Sequence, residues 1–300
     1  MGDKGDFKDK QFNESEVADK VVEQYDEKHA RVFYKYVMGG GGLDIHYGCY
    51  TKASDTVYES SKETNKRLLT AMDWTRPITP DSYVLDLGSG HGGISHECAQ
   101  RYGCKVHGVN ISPEQNKMNL EEAAKLGVGN LVTVDVANFN EGLPQEWTGK
   151  FTHIVSCEVL CHAADKATLF KELKRIMAPG AAFAFTDIMG ADGANEKALK
   201  DFTDRNATTK MARPSEYMTM LKTAGFREVS YLDYSPHLAH YFQGMVDQIN
   251  QHRASMISEG VPDAYLDKWM ESLTSRVDIQ KEHAVFAWGV FACRIDGPIY

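Results

Sequence analysis

The sequence predicts an α/β fold built on a parallel sheet, and two observations carry this prediction. From Ser82 onward, short apolar runs alternate with amphipathic helical stretches, which is the pattern of parallel strands joined by helices. The first strand leads into VLDLGSGHGG (84–93), where the apolar run ends at Asp86 and breaks into glycines before a helix. Glycines let backbone pass close to a ligand, and a helix start offers free N–H groups. This glycine turn is therefore expected to hold a nucleotide-like cofactor at the carboxyl edge of the sheet.

The spacing of apolar residues places the elements in order along the chain. Ahead of the sheet, residues 13–37 and 56–73 have helical spacing, with a turn at the four glycines 39–42 between them. The alternation then predicts strand 82–87, helix 94–102, strand 105–110, helix 113–126, strand 131–136, strand 151–157, helix 166–177, strand 181–188, helical stretch 194–224, strand 226–234, helical stretch 237–282 and strand 284–295.

These elements suggest how the chain is divided. We expect a disordered N-terminus at 1–12, a helical cap at 13–80 and a cofactor-binding core at 81–300. The core carries a helical insertion at 236–283, between its last two strands. Because this insertion interrupts the sheet near its end, we expect it to cover the cofactor edge as a lid that excludes water.

Composition and charge argue against several classes of protein. With 300 residues, 42% of them hydrophobic, the chain can form one large domain with a sizeable core. A net charge of −9 and a pI near 5.7 argue against nucleic-acid and anionic-membrane partners. There is no apolar run of transmembrane length and no signal peptide, and the six cysteines are scattered without metal-ligand pairing. We therefore expect a cytoplasmic protein with reduced thiols and no metal site.

The glycine turn by itself fits two cofactors. Gly88, Gly90 and Gly93 satisfy the GxGxxG spacing of dinucleotide-dependent dehydrogenases. Asp86, two residues before the first of them, favours S-adenosylmethionine (SAM) instead. The two interpretations are a SAM-dependent enzyme and an NAD-dependent dehydrogenase.

Polar residues after the second and third strands are candidates for the rest of the cofactor. Asn110 ends the second strand, where either cofactor class places a partner for the ribose hydroxyls. Ser112 begins a stretch with Pro at the first helical position, so Gln115 either completes a capping box or binds the ribose, and the two are compatible. Asn138 and Phe139 follow the third strand and fit either an adenine site or an ordinary turn.

Residues that could act on a second substrate follow the later strands. His162, in SCEVLCH (156–162), has a side chain whose pKa suits proton transfer near neutral pH, and Glu158 is similarly placed, with a solvated or capping role as the alternative. Arg205 either holds a carboxylate bidentately or lies on the surface. Tyr241 and Trp288 are either core residues or aromatic faces for a cationic amine.

On these residues the chain resembles the class I SAM-dependent methyltransferases, and more narrowly the sarcosine/dimethylglycine N-methyltransferases that make glycine betaine. The likeness runs from Tyr25 to Arg294. Beyond the glycine turn it rests on four segments: GLDIHYGCY (42–50), FTDIMGADG (185–193), SPHLAHYF (235–242) and AWGVF (287–291). The resemblance implies a Rossmann-like, seven-stranded, mostly parallel sheet whose last strand is antiparallel, with SAM as the cofactor.

The resemblance also implies roles for individual residues. Residues expected near the methionine part of SAM are Tyr25, His46, Tyr47, Asp86, Gly88, Ser89, Gly90, Ser156 and Cys157. Those expected at the ribose and adenine are Asn110, Ile111, Gln115, Asn138 and Phe139. Those expected at the methyl acceptor are Met189, Arg205, Tyr241 and Trp288, with His162 as the catalytic proton acceptor.

Departures from the family pattern leave the acceptor open. Met38 replaces a Trp, two residues are added within the glycine run, the turn contains Ser89 and His91, and segment 155–159 differs. The first hypothesis is N-methylation of a small amine with a carboxylate, sarcosine or dimethylglycine, giving the osmolyte betaine. The alternatives are S-methylation of a small thioether acid, as in a dimethylsulfoniopropionate-type pathway, and SAM binding without turnover. In each case we expect a monomer or homodimer.

Overall fold

The computed structural model describes residues 28–195, 197–199, 202 and 211–297. Seven strands form one sheet in the order β3-β2-β1-β4-β5-β7-β6, which confirms the predicted fold class. The strands are β1 (Tyr83–Leu87), β2 (Lys105–Asn110), β3 (Val132–Val136), β4 (Phe151–Cys157), β5 (Met177–Gly190), β6 (Arg227–Asp233) and β7 (Phe286–Arg294).

Helices connect these strands and extend beyond them. They are α1 (Lys28–Val37), α2 (Val57–Thr75), α3 (Gly93–Tyr102), α4 (Pro113–Lys125), α5 (Lys166–Ile176), α6 (Pro214–Ala224), α7 (Leu238–Ser258) and α8 (Asp263–His283). Hydrogen bonds from nearby side chains cap the N-termini of several of these helices. Thr56 and Glu59 form a capping box at α2, and the Ser112 hydroxyl accepts a hydrogen bond from the Gln115 backbone N–H at α4.

The last strand reverses direction in the sheet. β7 pairs antiparallel with β5, from Ala182 opposite Arg294 to Gly190 opposite Phe286, and antiparallel with β6 on its other side. β1 to β5 pair in parallel, so their carboxyl ends meet along one edge. Apolar clusters cover both faces of the sheet, which explains why its central strands are nearly continuous apolar runs.

Two boundaries differ from the predictions. The stretch predicted as helical over 194–224 is not helical at 211–213, because Arg213 precedes Pro214 and adopts an extended backbone. Strand β5 begins at Met177 rather than at 181, so the Pro-Gly pair at 179–180 lies within the strand. Of the helix predicted at 13–37, the part before residue 28 lies outside the described residues.

A third apolar cluster joins the N-terminal helix to the insertion. α7 and α8 form the helical insertion between β6 and β7, as predicted, and α1 packs against α7. The Phe33 ring of α1 stacks on Trp269 of α8, with 4.9 Å between ring centroids. These helices therefore form one packed unit with its own core.

Within residues 28–195, 197–199, 202 and 211–297, no helix has the length and apolarity needed to cross a bilayer. Within the same ranges, no group of three His, Cys, Asp or Glu side chains is arranged to hold a metal ion.

Candidate active site

A cleft lies at the carboxyl ends of β1, β2, β3 and β4, where the glycine turn was predicted to bind a cofactor. The side chains and backbone that line it include Asp86, Gly88, Ser89, Gly90, Asn110, Ile111, Gln115, Asn138, Phe139, Cys157, Glu158 and His162. Sequence segments more than 70 residues apart thus meet at one site, as parallel strands require.

The glycines of the turn are needed for close approach. Gly88 has φ +78°, and a Cβ atom there would lie 2.4 Å from Val159 Cγ2. A Cβ atom at Gly93 would lie 2.0 Å from Asp44 Oδ1. Gly90 differs, because with φ +50° its nearest neighbour would be Gln115 Oε1 at 3.9 Å, so a side chain there would enter the cleft. The turn is therefore a cradle that leaves room for a ligand above Gly90.

Asp86 is buried beneath this turn and held by α3. The Ser95 hydroxyl donates a 2.6 Å hydrogen bond to Asp86 Oδ2. Burial raises the pKa of Asp86 to about 6, although the bonds from Ser95 oppose the shift.

The residues predicted at the ribose and adenine lie along the same cleft. Asn110 Nδ2 donates to Gln115 Oε1 at 2.7 Å, so the two amides form one polar patch. Ser112 caps α4 through its hydroxyl, while the Gln115 side chain lines the cleft beside Asn110. The ribose contact of Gln115 stays a prediction. Asn138 instead uses its amide within its own turn, accepting from the Asn140 N–H at 3.0 Å and donating to Glu141 at 2.9 Å.

A second cavity, called the inner cavity below, adjoins the first and shares one wall with it. Ile45, His46, Glu158 and His162 line both cavities. The remaining lining of this inner cavity comes mostly from α1, α7 and α8: Tyr34, Met38, Tyr47, Cys161, Ile188, Phe202, Tyr241, Phe242, Met245, Trp269 and Arg276. A ligand in the inner cavity would therefore meet a ligand in the cleft at the shared wall.

His46 in that wall is held by a buried carboxylate. Its Nε2 lies 3.5 Å from Oδ1 of Asp44, which is 4% exposed, and its Nδ1 donates to the Tyr47 carbonyl at 3.1 Å. Burial alone would lower the pKa of His46, but Asp44 outweighs it and the pKa is raised. Asp44 has its own pKa lowered to about 2, because His46, Lys62 and Asn65 outweigh the cost of burial.

Glu158 occupies the same wall in an unusual backbone conformation. Its φ is +57°, which is rare for a residue with a side chain. Burial raises the pKa of Glu158 to about 8, and the neighbouring Asp187 carboxylate adds to the shift. Hydrogen bonds from Trp288 and Thr186 oppose it. A carboxyl group with this pKa can exchange a proton near neutral pH.

Asp187 itself is fully buried at the end of β5. It accepts hydrogen bonds from the Tyr217 hydroxyl at 2.5 Å and from the Cys161 N–H at 3.2 Å. It therefore anchors the turn that carries Cys161 and His162.

Several predicted site residues lie elsewhere than expected. Ser156 is fully buried and donates to the Leu87 carbonyl at 2.9 Å, so it joins β4 to β1 instead of lining the cleft. Met189 packs in the apolar core on one face of the sheet. Trp288 lies behind Glu158 and contacts it through the indole N–H. Tyr25 and Arg205 lie outside the described residues.

The remaining predicted residues divide between the cavities. Tyr47 and Tyr241 line the inner cavity, and their rings are 5.2 Å apart in an edge-to-face arrangement. The resemblance placed Tyr47 near the methionine part of SAM, whereas in the structure it lines the inner cavity and not the cofactor cleft. His162 lines both cavities, in a short 3-10 turn at Leu160–His162.

The structure also adds residues that the sequence did not single out. Arg276 lines the inner cavity from α8, and Asp44 supports His46. Asp44 carried a signal, since it belongs to the segment 42–50 shared with the family. Arg276 carried none, because it lies within an otherwise ordinary amphipathic helix.

Two segments in which the sequence suggested departures from the family pattern contact each other. His91 Nδ1, in the glycine turn, donates to the carbonyl of Gly42 at 2.8 Å. Gly42 ends the lengthened glycine run at 39–42. The two changes therefore form one connection between the N-terminal cap and the cofactor turn.

Comparisons with known proteins agree with this geometry. The model of the mycolic acid cyclopropane synthetase family matches residues 12–285. A sarcosine/dimethylglycine N-methyltransferase from Halorhodospira halochloris is 30% identical over 90% of this chain and 94% of that protein. A dimethylglycine N-methyltransferase from Parasynechococcus marenigrum is 29% identical over 91% of this chain and 94% of its own length.

A solved structure has the same fold. Phosphoethanolamine N-methyltransferase 2 from Haemonchus contortus, in complex with SAM, superposes with a TM-score of 0.75 at 19% identity, covering 93% of this chain and 60% of that one. The glycine cradle and the polar patch at Asn110 fit this cofactor, and the matches favour SAM over a dinucleotide. The chain therefore belongs to the SAM-dependent methyltransferase family that includes the mycolic acid cyclopropane synthetases and the sarcosine/dimethylglycine N-methyltransferases, and it is an enzyme that uses SAM as its methyl donor.

Proposed function

We propose that this enzyme methylates the nitrogen of a small amine that carries a carboxylate, with sarcosine and dimethylglycine as acceptors and glycine betaine as the final product. The observation that carries the proposal is the inner cavity, which meets the cofactor cleft at His46, Glu158 and His162. The named activities of the Halorhodospira and Parasynechococcus relatives support this acceptor class.

The lining of the inner cavity suits an amine that gains charge as it is methylated. Tyr34, Tyr47, Tyr241, Phe242 and Trp269 present aromatic rings to it, and such rings attract a quaternary ammonium through cation–π interactions. The Tyr241 hydroxyl donates to the His46 carbonyl at 2.9 Å, which ties the aromatic wall to the shared wall. The aromatic wall is therefore held in place before an acceptor binds.

The proposed chemistry asks little of the protein beyond alignment and removal of a proton. SAM supplies a methyl group that is already activated, so the enzyme mainly positions the acceptor nitrogen and excludes water. An ammonium acceptor must lose its proton before its lone pair is available. We assign this proton to His162, as the sequence suggested, or to Glu158 beside it in the shared wall.

The remaining site residues are proposed from their positions in the cleft. Gly88, Ser89 and Gly90 would hold the methionine part of SAM, while Asn110 and Gln115 would hold the ribose. Phe139 would lie against the adenine, with Ile111 and Cys157 completing the cleft wall.

The test is mass spectrometry of products after the enzyme is mixed with SAM and single acceptors. We expect methyl transfer to sarcosine and dimethylglycine, with betaine as the end product. Methylation of a methylthio carboxylic acid, with no product from the two glycine derivatives, would overturn the proposal in favour of S-methylation. The pH profile provides a second criterion, because an amine acceptor predicts a rate that rises from pH 6 to 9 and a thioether predicts a flat one.

A further inference from the structure

A buried arginine lies in the inner cavity. Arg276 belongs to α8, is 7% exposed and lines the cavity, but it does not line the cofactor cleft. Its guanidinium carbon lies 4.6 Å from the centre of the Phe202 ring, 5.9 Å from that of Phe242 and 6.0 Å from that of Trp269. The three rings flank the guanidinium and hold its position within the cavity.

The charges of the inner cavity are unevenly distributed. Among the described residues that line it, Arg276 is the one side chain with a permanent positive charge. The carboxyl group of Glu158 belongs to the wall shared with the cofactor cleft, together with the imidazoles of His46 and His162. A zwitterion can place its anionic end at Arg276 and its amine at this wall, where Glu158 and His162 could take up a proton.

We propose that Arg276 binds the carboxylate of the methyl acceptor and thereby points the acceptor nitrogen at the wall formed by His46, Glu158 and His162. This inference rests on the proposed function for the identity of the acceptor. It assigns to Arg276 the role that the sequence suggested for Arg205, which lies outside the described residues.

The physical reason is the combination of shape and burial. A guanidinium presents two parallel N–H donors that match the two oxygens of a carboxylate, and a lysine cannot make this fork. Because Arg276 is 7% exposed, water would screen such a pair little. An acceptor without the carboxylate would forgo this pairing, so the arginine would also select against simple amines.

The test compares wild type with Arg276→Met and Arg276→Lys, using dimethylglycine and N,N-dimethylethanolamine as acceptors. For dimethylglycine we expect the KM to rise by about 10- to 100-fold in Arg276→Met, the range of a lost charge-assisted pair, and by less in Arg276→Lys. The affinity for SAM, measured by calorimetry, should not change. The kcat/KM for dimethylethanolamine, which has no carboxylate, should also stay as in wild type.

Arg253→Met is the matched control. Arg253 lies on α7 of the same insertion, but it pairs with Asp263 and Asp267 at 2.6 and 2.5 Å, outside the cavity. This variant should keep the wild-type KM for both acceptors.

Two results would overturn the inference. An unchanged KM for dimethylglycine in Arg276→Met would show that the carboxylate binds elsewhere. An equal loss of kcat/KM with both acceptors would show that Arg276 only supports packing. If Arg276→Met does not fold, the same comparison of the two acceptors is made with Arg276→Lys. If wild type methylates a thioether acid instead of an amine, the proposed function fails separately, and the same comparison is made with that acid and its carboxylate-free analogue.

Discussion

The indole Nε1 of Trp288 donates a 2.5 Å hydrogen bond to Oε1 of Glu158. The two residues are 130 positions apart, one on β7 and the other in the turn after β4. Glu158 has a left-handed backbone, and its side chain lies in the wall between the two cavities. The bond from Trp288 helps to fix the carboxyl group there. Trp288 lines neither cavity, so we expect it to act on the site through Glu158.

Replacing Trp288 by Phe should shift the pH dependence of the reaction upward. The hydrogen bond from Trp288 lowers the pKa of Glu158, so its loss should raise that pKa further above about 8. If Glu158 accepts the proton, the rising limb of the profile of kcat/KM against pH moves to higher pH. Trp147 is also buried, but it belongs to a different apolar cluster, on one face of the sheet. The control variant Trp147→Phe should therefore leave the rising limb at its wild-type pH. A profile of Trp288→Phe that overlays wild type would show that the limb belongs to another group.

Glu158→Gln should lower kcat and flatten this limb. General acid–base groups typically contribute about 10²- to 10⁴-fold to the rate, so a fall in that range is expected if Glu158 takes the proton. Binding of SAM, measured by calorimetry, should persist. If instead His162 is the acceptor, Glu158→Gln keeps a rising limb and His162→Gln loses it. Steady-state kinetics from pH 6 to 9 on both variants separates the two assignments.

The same Glu158→Gln variant should be more stable than the ligand-free wild type at alkaline pH. The folded-state pKa of Glu158 is raised from 4.5 to about 8, so the native state binds a proton more tightly than the unfolded state. The contribution of Glu158 to the free energy of unfolding is therefore complete below pH 4.5 and is lost as the pH rises through 8. Thermal melts across this window should show a Tm difference in favour of the Glu158→Gln variant that grows with pH, and a constant difference would contradict the assigned burial.

Gly90→Val should abolish SAM binding while the protein stays folded. The position has φ +50° and opens into the cleft, so the valine costs some backbone strain and also occupies the space for the ligand. Gly103→Val separates the two effects, because Gly103 has φ +66°, open space around it and a position at the end of α3. Calorimetric titration should find wild-type SAM affinity in Gly103→Val. If Gly90→Val binds SAM with the same affinity as Gly103→Val and wild type, the cleft is not the SAM site.

Asp44→Asn should lower the pKa of His46 and destabilise the fold at neutral pH. The pKa of Asp44 is lowered from 3.8 to about 2, so its stabilisation is present above pH 3.8 and is lost as the pH falls through 2. Loss of this buried, hydrogen-bonded carboxylate should cost about 1–3 kcal/mol in denaturant melts at pH 7. The titration of His46, followed by NMR, should move to lower pH. The exposed Asp81→Asn change serves as control and should alter neither quantity.

How much the sequence could predict depends on whether the signal was local. Ser112 capped α4 as expected because a helix start needs only neighbouring residues. The glycine turn was predicted for the same reason, since backbone shape is fixed within a few residues. The reversed direction of β7 came from the family resemblance, because periodicity does not record strand direction.

The acceptor side was harder because its residues meet only in three dimensions. Glu158 looked like a capping or solvated residue, and its pKa is raised by burial and then by Asp187, neither of which a local pattern shows. Trp288 was placed against the acceptor because its segment matched the family, yet its side chain faces Glu158. Arg276 lies on a helix whose apolar stripe gives no sign that one cation faces inward.

The inner cavity is lined in part by helices that do not line the cofactor cleft. The cofactor cleft is lined by residues between 43 and 162, while most of the inner cavity outside the shared wall comes from α1, α7 and α8. We therefore expect substitutions in these helices to alter the choice of acceptor and to leave the cofactor cleft unchanged. An exchange of residues 238–283 between relatives should therefore change which acceptor is methylated, while the binding of SAM is retained.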